Sequence, residues 1–443
     1  MIERQVIVAR EPFLSWARRF RARQALGNSL WFVPLLGGLL GVALALIDAW
    51  RDPGVPPEWR YSADTASGVL TAIVGAMVGL FGFVVTIGVL VVQMATGTLS
   101  PRFMRLWYRD RLQKVVLGCF VGTVAFAFSL LRRIRDDSVP SLGVNVAGLM
   151  FGVCLLLLLL YLNRFNHNLR PVGIGALVAR RGLREVKVLA GSRLSFERTA
   201  ANPVAGRSPS LLICTRQGGA VQAINARRLM AEAVRTDCVL VVNSSIGDFV
   251  RPGAPVVSVY STGRTPEAGA IAGSIAFGYE RSIEEDPAFA MRIMVDIAIR
   301  ALSPAVNDPT TAVQLINYIE VLLCGLVPYL DSAGRIVLRN EHGAVRVVLP
   351  ARTFEDYLRL AVTEIRQYGG GSVQVCRRLT AMLSSLHAVV APECRPAVEA
   401  ELAALGRTIA AHFPDADARV FVERGDRQGI GGPGVTSGAS GGT

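Results

Sequence analysis

Most of the long uninterrupted apolar runs of this chain fall before position 165, and beyond it the runs shorten and alternate with polar residues. Four of them approach the length needed to cross a hydrocarbon core, about 20 residues with a range of about 17–25. They cover about 30–47, 67–92, 112–131 and 142–162, the last holding six consecutive leucines, Leu155–Leu160. These runs predict a transmembrane region over 30–170. The first run is at the short end. It follows a basic stretch, 1–29, that is too long for the n-region of a signal peptide, and no small-x-small cleavage site comes after it. That combination predicts an uncleaved anchor.

Past the membrane region the periodicities change. Residues 196–209 read as a linker rich in Pro, Ser, Ala and Arg. The stretches 210–215, 220–224 and 238–243 read as strands, with a short helix at 226–234 between them. In 246–261 the turn signals Gly247-Asp248 and Pro252-Gly253 separate apolar alternations, which predicts a hairpin. Its GD-x-V-x-x-G-x-x-V spacing is similar to the hairpin of barrel-sandwich folds such as biotinyl and lipoyl carriers. No lysine follows Lys187, so a carrier lysine is excluded. Asp286-Pro287 and Asp308-Pro309 each place Asp at a helix N-cap and Pro at the first helical position. Between them Arg292, Asp296 and Arg300 form a charged stripe at helical spacing. The helix at about 309–330 is apolar on most faces but carries Glu320, which predicts a buried helix and not a fifth span. Three further helices are predicted between about 354 and 412, and a disordered Gly/Ser-rich tail over 425–443. The fold class expected is an α-helical membrane protein. A four-helix transmembrane region leads into a small barrel-sandwich-like β domain at 196–265 and a mostly helical domain at 280–422.

Composition alone would mislead. Apolar residues are 51% of the chain, near the soluble norm, yet mean hydropathy is +0.40. There are 47 Lys+Arg against 34 Asp+Glu, which invites a nucleic-acid reading. The distribution argues against it: residues 1–170 carry 18 basic and 9 acidic side chains, so the excess flanks the apolar runs. Residues 1–29, 97–114 and 163–183 together hold 15 basic side chains, whereas the two intervening loops hold 5. By the positive-inside rule both termini face the cytoplasm of a bacterial inner membrane. The 7 cysteines form no C-x-x-C pair and the 4 histidines are far apart, so neither a disulfide framework nor a metal site is expected. No cofactor motif is present.

The second run carries one stripe of small residues: Gly68, Ala72, Gly75, Gly79 and Gly82 recur at 4-3-4-3 spacing, then Thr86, Gln93 and Ser100 turn it polar. Gly75-x-x-x-Gly79 is a close-packing motif of membrane helices. The stripe fits a tight crossing inside the bundle, or the lining of a pore or oligomer axis. After Pro101, the residues Arg102, Arg105, Trp107 and Tyr108 suit the headgroup level, and predict a short interfacial helix touching lipid.

The segment ALSPAVNDPTTA (301–312) resembles the hallmark of a bacterial family of predicted membrane proteins catalogued as domain of unknown function 2254. TLSPRFM, DRLQKVVLGCF, GDFVRPG and ERSIEEDPAF resemble it too, so the likeness covers about 60 to 420. Gly219-Ala220 departs from it, since the family tends to have Gly-Tyr there. The resemblance implies the architecture and names no activity. Two readings stand for Ser303, Asn307, Asp308 and Thr311. One is a capped tight turn. The other is a polar site, with Arg281, Asp286 or Arg300 nearby, for a cation, an anionic ligand or a neighbouring subunit. No catalytic motif is visible. The sequence therefore points to a homo-oligomeric, channel- or transport-like protein in a lipid bilayer, with a cytoplasmic regulatory or assembly domain. The alternative is a non-transporting scaffold or sensor, and an enzyme is the weakest reading.

Overall fold

The computed structural model describes residues 5–13, 15–47, 56–98, 110–136, 138–168, 171–190, 196–261 and 263–432. The chain divides into two compact units: Gln24–Arg170, and a second built from Met1–Arg23 together with Pro171–Thr443.

The first unit is helical. After α1 (Trp16–Asn28) come α2 (Phe32–Ala45), α3 (Ala63–Thr98), α4 (Arg111–Leu131) and α5 (Ser141–Asn168). Asp110 starts α4 by accepting a hydrogen bond from the Leu112 N–H at 3.0 Å. The Lys114 ammonium, buried at the start of α4, donates to the Gly27 carbonyl. The foot of α3 is tied to that of α5, since the Tyr61 hydroxyl donates to Asn145 Oδ1 at 2.9 Å. The core is apolar: Leu70, Met77 and Val84 of α3 are buried with Phe120, Phe126 and Leu130 of α4.

Among the described residues, four helices suit a bilayer by length and composition: Ala63–Leu90, Arg111–Leu131, Ser141–Arg164 and Pro309–Tyr329. This differs from the expected set. The run at 30–47 yields only the 14-residue α2, about 21 Å at 1.5 Å per residue against a core of about 30 Å. It qualifies only together with α1, as one span broken between Asn28 and Phe32. Pro309–Leu326 passes on composition, but its surroundings are those of a core helix. Leu315, Ile316, Ile319, Leu322 and Leu323 are wholly buried, and Glu320 and Asn317 both bond the Arg378 guanidinium.

The second unit is α/β. It holds β1 (Gln5–Ala9), α6 (Pro171–Ala190), β2 (Phe196–Thr199), β3 (Leu211–Thr215), β4 (Gly219–Ile224), α7 (Ala226–Arg235) and β5 (Val239–Val242). Then follow β6 (Phe249–Val250), β7 (Pro255–Tyr260), α8 (Ala268–Ala272), β8 (Ile275–Gly278), α9 (Pro287–Ala301) and α10 (Pro309–Leu326). The hairpin β9 (Arg335–Arg339) and β10 (Val345–Pro350) precedes α11 (Phe354–Gly369), α12 (Val373–Val389), α13 (Arg395–His412) and α14 (Ala416–Glu423). A mixed sheet runs β1-β3-β7-β5-β10-β9-β2, and a smaller one runs β6-β4-β8. Val257, Val259, Ile213 and Leu240 in the central strands share one face of the sheet by register and are fully buried.

Several expectations change here. The large sheet is not confined to 196–265: β1, inside the expected basic segment, pairs in parallel with β3 from Gln5↔Leu211 to Ala9↔Thr215. The segment 280–422, expected to be mostly helical, also donates two strands, and β10 pairs in parallel with β5. Nor are β6 and β7 a hairpin. β6 pairs with β4, whereas β7 pairs with β3 and β5. Pro252-Gly253 therefore hands the chain from one sheet to the other, which the barrel-sandwich hairpin would not do. The tail starts later than Gly425, because Asp426 is fully buried and lies 3.4 Å from the Arg377 guanidinium. Residues 433–443 lie outside those described, as do Ser100, Arg102, Arg105, Trp107 and Tyr108 with the expected interfacial helix.

Candidate functional site

Both Asp-Pro steps build the same junction. The residue before each Asp is left-handed, Glu285 at φ +58° and Asn307 at φ +46°. The Asp itself is held out of the helical region, as a residue before proline must be, and caps the helix that follows. Asp286 Oδ1 accepts from the Phe289 N–H at 3.2 Å, and Asp308 Oδ1 from the Thr311 N–H at 3.0 Å. The two differ at the second oxygen. Asp308 Oδ2 accepts from the Thr311 hydroxyl at 2.5 Å. Asp286 Oδ2 instead takes the Arg281 guanidinium, through Nε at 3.0 Å and Nη2 at 2.9 Å.

At Asp308 the second oxygen takes a hydroxyl, whereas at Asp286 it takes a guanidinium in an ion pair. The side chain of Asp286 is 4% exposed. Burial pushes its carboxyl upward, and Arg281 works against that shift. Arg281 is further held over the Phe289 ring, 5.3 Å from its centroid. The Ser303 turn is satisfied locally: the Ser303 hydroxyl donates to the Arg300 carbonyl at 2.7 Å, and the Asp308 N–H to the Ala301 carbonyl at 2.8 Å. The expected constellation is thus split. Arg281 and Asp286 sit at the start of α9, while Arg300, Ser303, Asn307, Asp308 and Thr311 sit at its far end. The 15 residues of α9 separate them by roughly 22 Å. Arg292 bonds Asp296 at 2.7 Å and also Glu364 of α11, so the expected stripe ties two helices together.

The Asp286 end opens on a cavity of about 280 Å³ inside the α/β unit, with Glu285 and Asp286 in its wall. Glu285 Oε2 accepts from the Ile224 N–H at 3.3 Å. Burial first, and the nearby Glu185 carboxylate with it, push Glu285 up to about 7. A strained, non-glycine backbone at a cavity wall is the kind of outlier that marks function.

The stripe of α3 behaves unlike a crossing. Gly68, Ala72, Gly75, Gly79, Gly82, Thr86 and Gln93 all lie on the exposed side of the helix. A Cβ built on Gly68, Gly75, Gly79 or Gly82 would meet nothing within 4 Å. The buried line of α3 runs instead through Ala66, Leu70, Ile73, Met77 and Val84. The Thr86 hydroxyl is spent on the Gly82 carbonyl at 2.9 Å. Where helices do approach closely is between α2 and α4. Cβ atoms on Gly37 and Gly41 would each come 2.2 Å from a carbonyl oxygen, of Gly118 and Gly122 respectively. The expected tight crossing inside the bundle therefore belongs to a different pair of helices. Two spacings in the sequence carried it, Gly37-x-x-x-Gly41 and Gly118-x-x-x-Gly122.

Residues 27–385 match the family described as predicted membrane protein (DUF2254). The chain belongs to this family. Uncharacterized proteins of Mycobacterium bovis and Mycobacterium tuberculosis are each 27% identical over 435 residues, spanning 91% of this chain and 81% of theirs. No solved structure gives a significant match. Two of the DUF2254 pieces quoted above meet in space: Gly247 of GDFVRPG lies against Arg281 of ERSIEEDPAF. Among the described residues no cluster of three His, Cys, Asp or Glu side chains is arranged to hold a metal ion.

Proposed function

We propose that this DUF2254 member is a homo-oligomeric protein of the bacterial inner membrane, assembled through the small-residue face of α3 and carrying the α/β unit as its cytoplasmic regulatory part. The open face of α3 carries the reading. Its glycines have room for a neighbour and none among the described residues, whereas the Gly37/Gly41 and Gly118/Gly122 motifs are already used. Small residues let two helices approach closely in lipid, where packing replaces the hydrophobic drive.

The sheet supports the topology. β1 and β3 are neighbouring strands, so an even number of crossings must lie between them. Three long helices within 24–170 leave the count odd, and an even count requires the α1–α2 region to supply a fourth crossing. The excess of basic residues near the ends of the membrane unit favours the cytoplasm for both.

The test is the mass of the protein in lipid nanodiscs, with Gly79→Leu as the probe. The wild type should be a defined oligomer, and the variant should fall to smaller species at an unchanged melting temperature. A monomeric wild type, or an oligomer indifferent to Leu at positions 75 and 79, removes the proposal. Channel-like conduction along the α3 axis is a second reading, favoured by the continuation of the stripe into Gln93. Ion flux in liposomes, lost in Gly79→Leu, is what it requires.

A further inference from the structure

The cavity beside Asp286 lies wholly within the α/β unit. Phe196, Ile224, Ile246, Leu326, Leu338 and Leu349 make most of its wall apolar. Its polar groups fall into two sets. The acids are engaged: both oxygens of Asp286 hold hydrogen bonds, and Glu285 accepts from the Ile224 N–H. So is Arg198, which bonds Asp331 and the carbonyls of Ala333 and Arg352.

The second set has donors to spare. Arg352 makes one long hydrogen bond, from Nη2 to the Ile246 carbonyl at 3.3 Å, and is 4.0 Å from Asp248. Its Nε and Nη1 are unengaged among the described residues. Tyr357 is 7% exposed, lines the cavity, and its hydroxyl has no hydrogen-bond partner among the described residues. The Ser245 hydroxyl, also in the wall, has none either. A guanidinium fork and two hydroxyls in the wall of one cavity match the acceptor oxygens of a carboxylate.

We propose that this cavity binds a small amphipathic carboxylate, its apolar body among the leucine and isoleucine side chains and its carboxylate on Arg352, Tyr357 and Ser245. This deepens the regulatory reading of the α/β unit by naming what it senses, and it does not depend on how α3 assembles. A mostly apolar pocket with a few placed polar groups is the general form of a small-ligand site.

The experiment is calorimetric titration of the full-length protein in nanodiscs with three probes sharing one apolar body: 4-phenylbutyrate, 4-phenylbutan-1-ol and 4-phenylbutylamine. Empty nanodiscs give the partitioning background. The carboxylate should bind at least tenfold tighter than the alcohol, and the amine weakest. Arg352→Gln should abolish that preference and leave the alcohol within about threefold. Tyr357→Phe, which removes only the hydroxyl, should weaken the carboxylate several-fold. Ala226→Phe, which fills the cavity, should remove binding of both. Equal binding of alcohol and carboxylate, or preference for the amine, overturns the carboxylate and leaves a regulatory pocket standing. No binding of any probe removes both, while the oligomer measured separately stands or falls by its own test.

Discussion

Arg281 lies where a side chain at position 247 would have to go: a Cβ built on Gly247 would be 2.7 Å from the Arg281 Nε. Gly247 also has φ +93°, a conformation that side chains resist. Gly247→Ala should therefore lower the melting temperature by the equivalent of about 1–3 kcal/mol. Gly253→Ala, at φ +79° with open space around it, bears only the backbone strain and should cost less. The Gly247→Ala penalty should also shrink in an Arg281→Ala background. Strict additivity of the two changes would show that the contact is not felt.

The two sets of membrane glycines should separate cleanly. Gly41→Ala forces a methyl onto the Gly122 carbonyl, 2.2 Å away, and should lower thermal stability in detergent. Gly75→Ala meets nothing among the described residues, and should match wild type in the same melt. A stable Gly41→Ala protein would contradict the α2–α4 crossing.

The twin caps predict unequal answers to one substitution. Asp308→Asn keeps an acceptor for the Thr311 N–H and should be near wild type in a thermal melt, while Asp308→Ala should cost about 0.5–2 kcal/mol. Asp286→Asn keeps its cap but removes the carboxylate charge that Arg281 pairs with, and should cost clearly more than Asp308→Asn. Equal melting temperatures for the two Asn variants would mean that the Arg281 pair contributes nothing net, as some buried pairs do.

Glu285 makes stability fall as pH rises. Its folded value is about 7 against an ordinary 4.5, so between those values the unfolded chain releases the proton first and the folded state is penalised. At about 1.4 kcal/mol per pH unit the loss amounts to roughly 3 kcal/mol by pH 8. Glu285→Gln removes the titration. Its melting temperature should stay close to wild type at pH 4.5 and exceed it at pH 8. A variant advantage that does not grow with pH would refute the assignment.

What the sequence disclosed followed the range of the interactions. Asp286 and Asp308 were legible as caps because an Asp-Pro step acts on the next three residues. The strands at 211–215, 219–224 and 239–242 were legible from alternation. β1 was not, because QVIVA becomes a strand only by lying beside Leu211–Thr215. The handover at Pro252-Gly253 was hidden for the same reason: turn residues announce a reversal, and not which strand receives the chain. Among the membrane glycines the longer stripe drew attention to α3, while the shorter spacings at Gly37/Gly41 and Gly118/Gly122 made the contact. A spacing tells which glycines share a helix face, and only the partner decides whether that face is filled. Arg352, Tyr357 and Ser245 come from separate segments with no common motif, so nothing local could have grouped them.

The pairing of β1 with β3 also sets an order in time. Gln5 pairs with Leu211, and at about 5–20 residues per second a ribosome spends on the order of 10–40 s between them. Throughout that interval the first strand has been made and its partner has not. Val6 and Val8, still 58% and 57% exposed once the sheet is complete, wait with no strand beside them while every membrane helix is delivered to the bilayer. A delay in inserting α3, α4 or α5 therefore prolongs the life of a sticky, half-built edge. Defects in the membrane unit should surface as aggregation that begins at the N-terminus of the nascent chain.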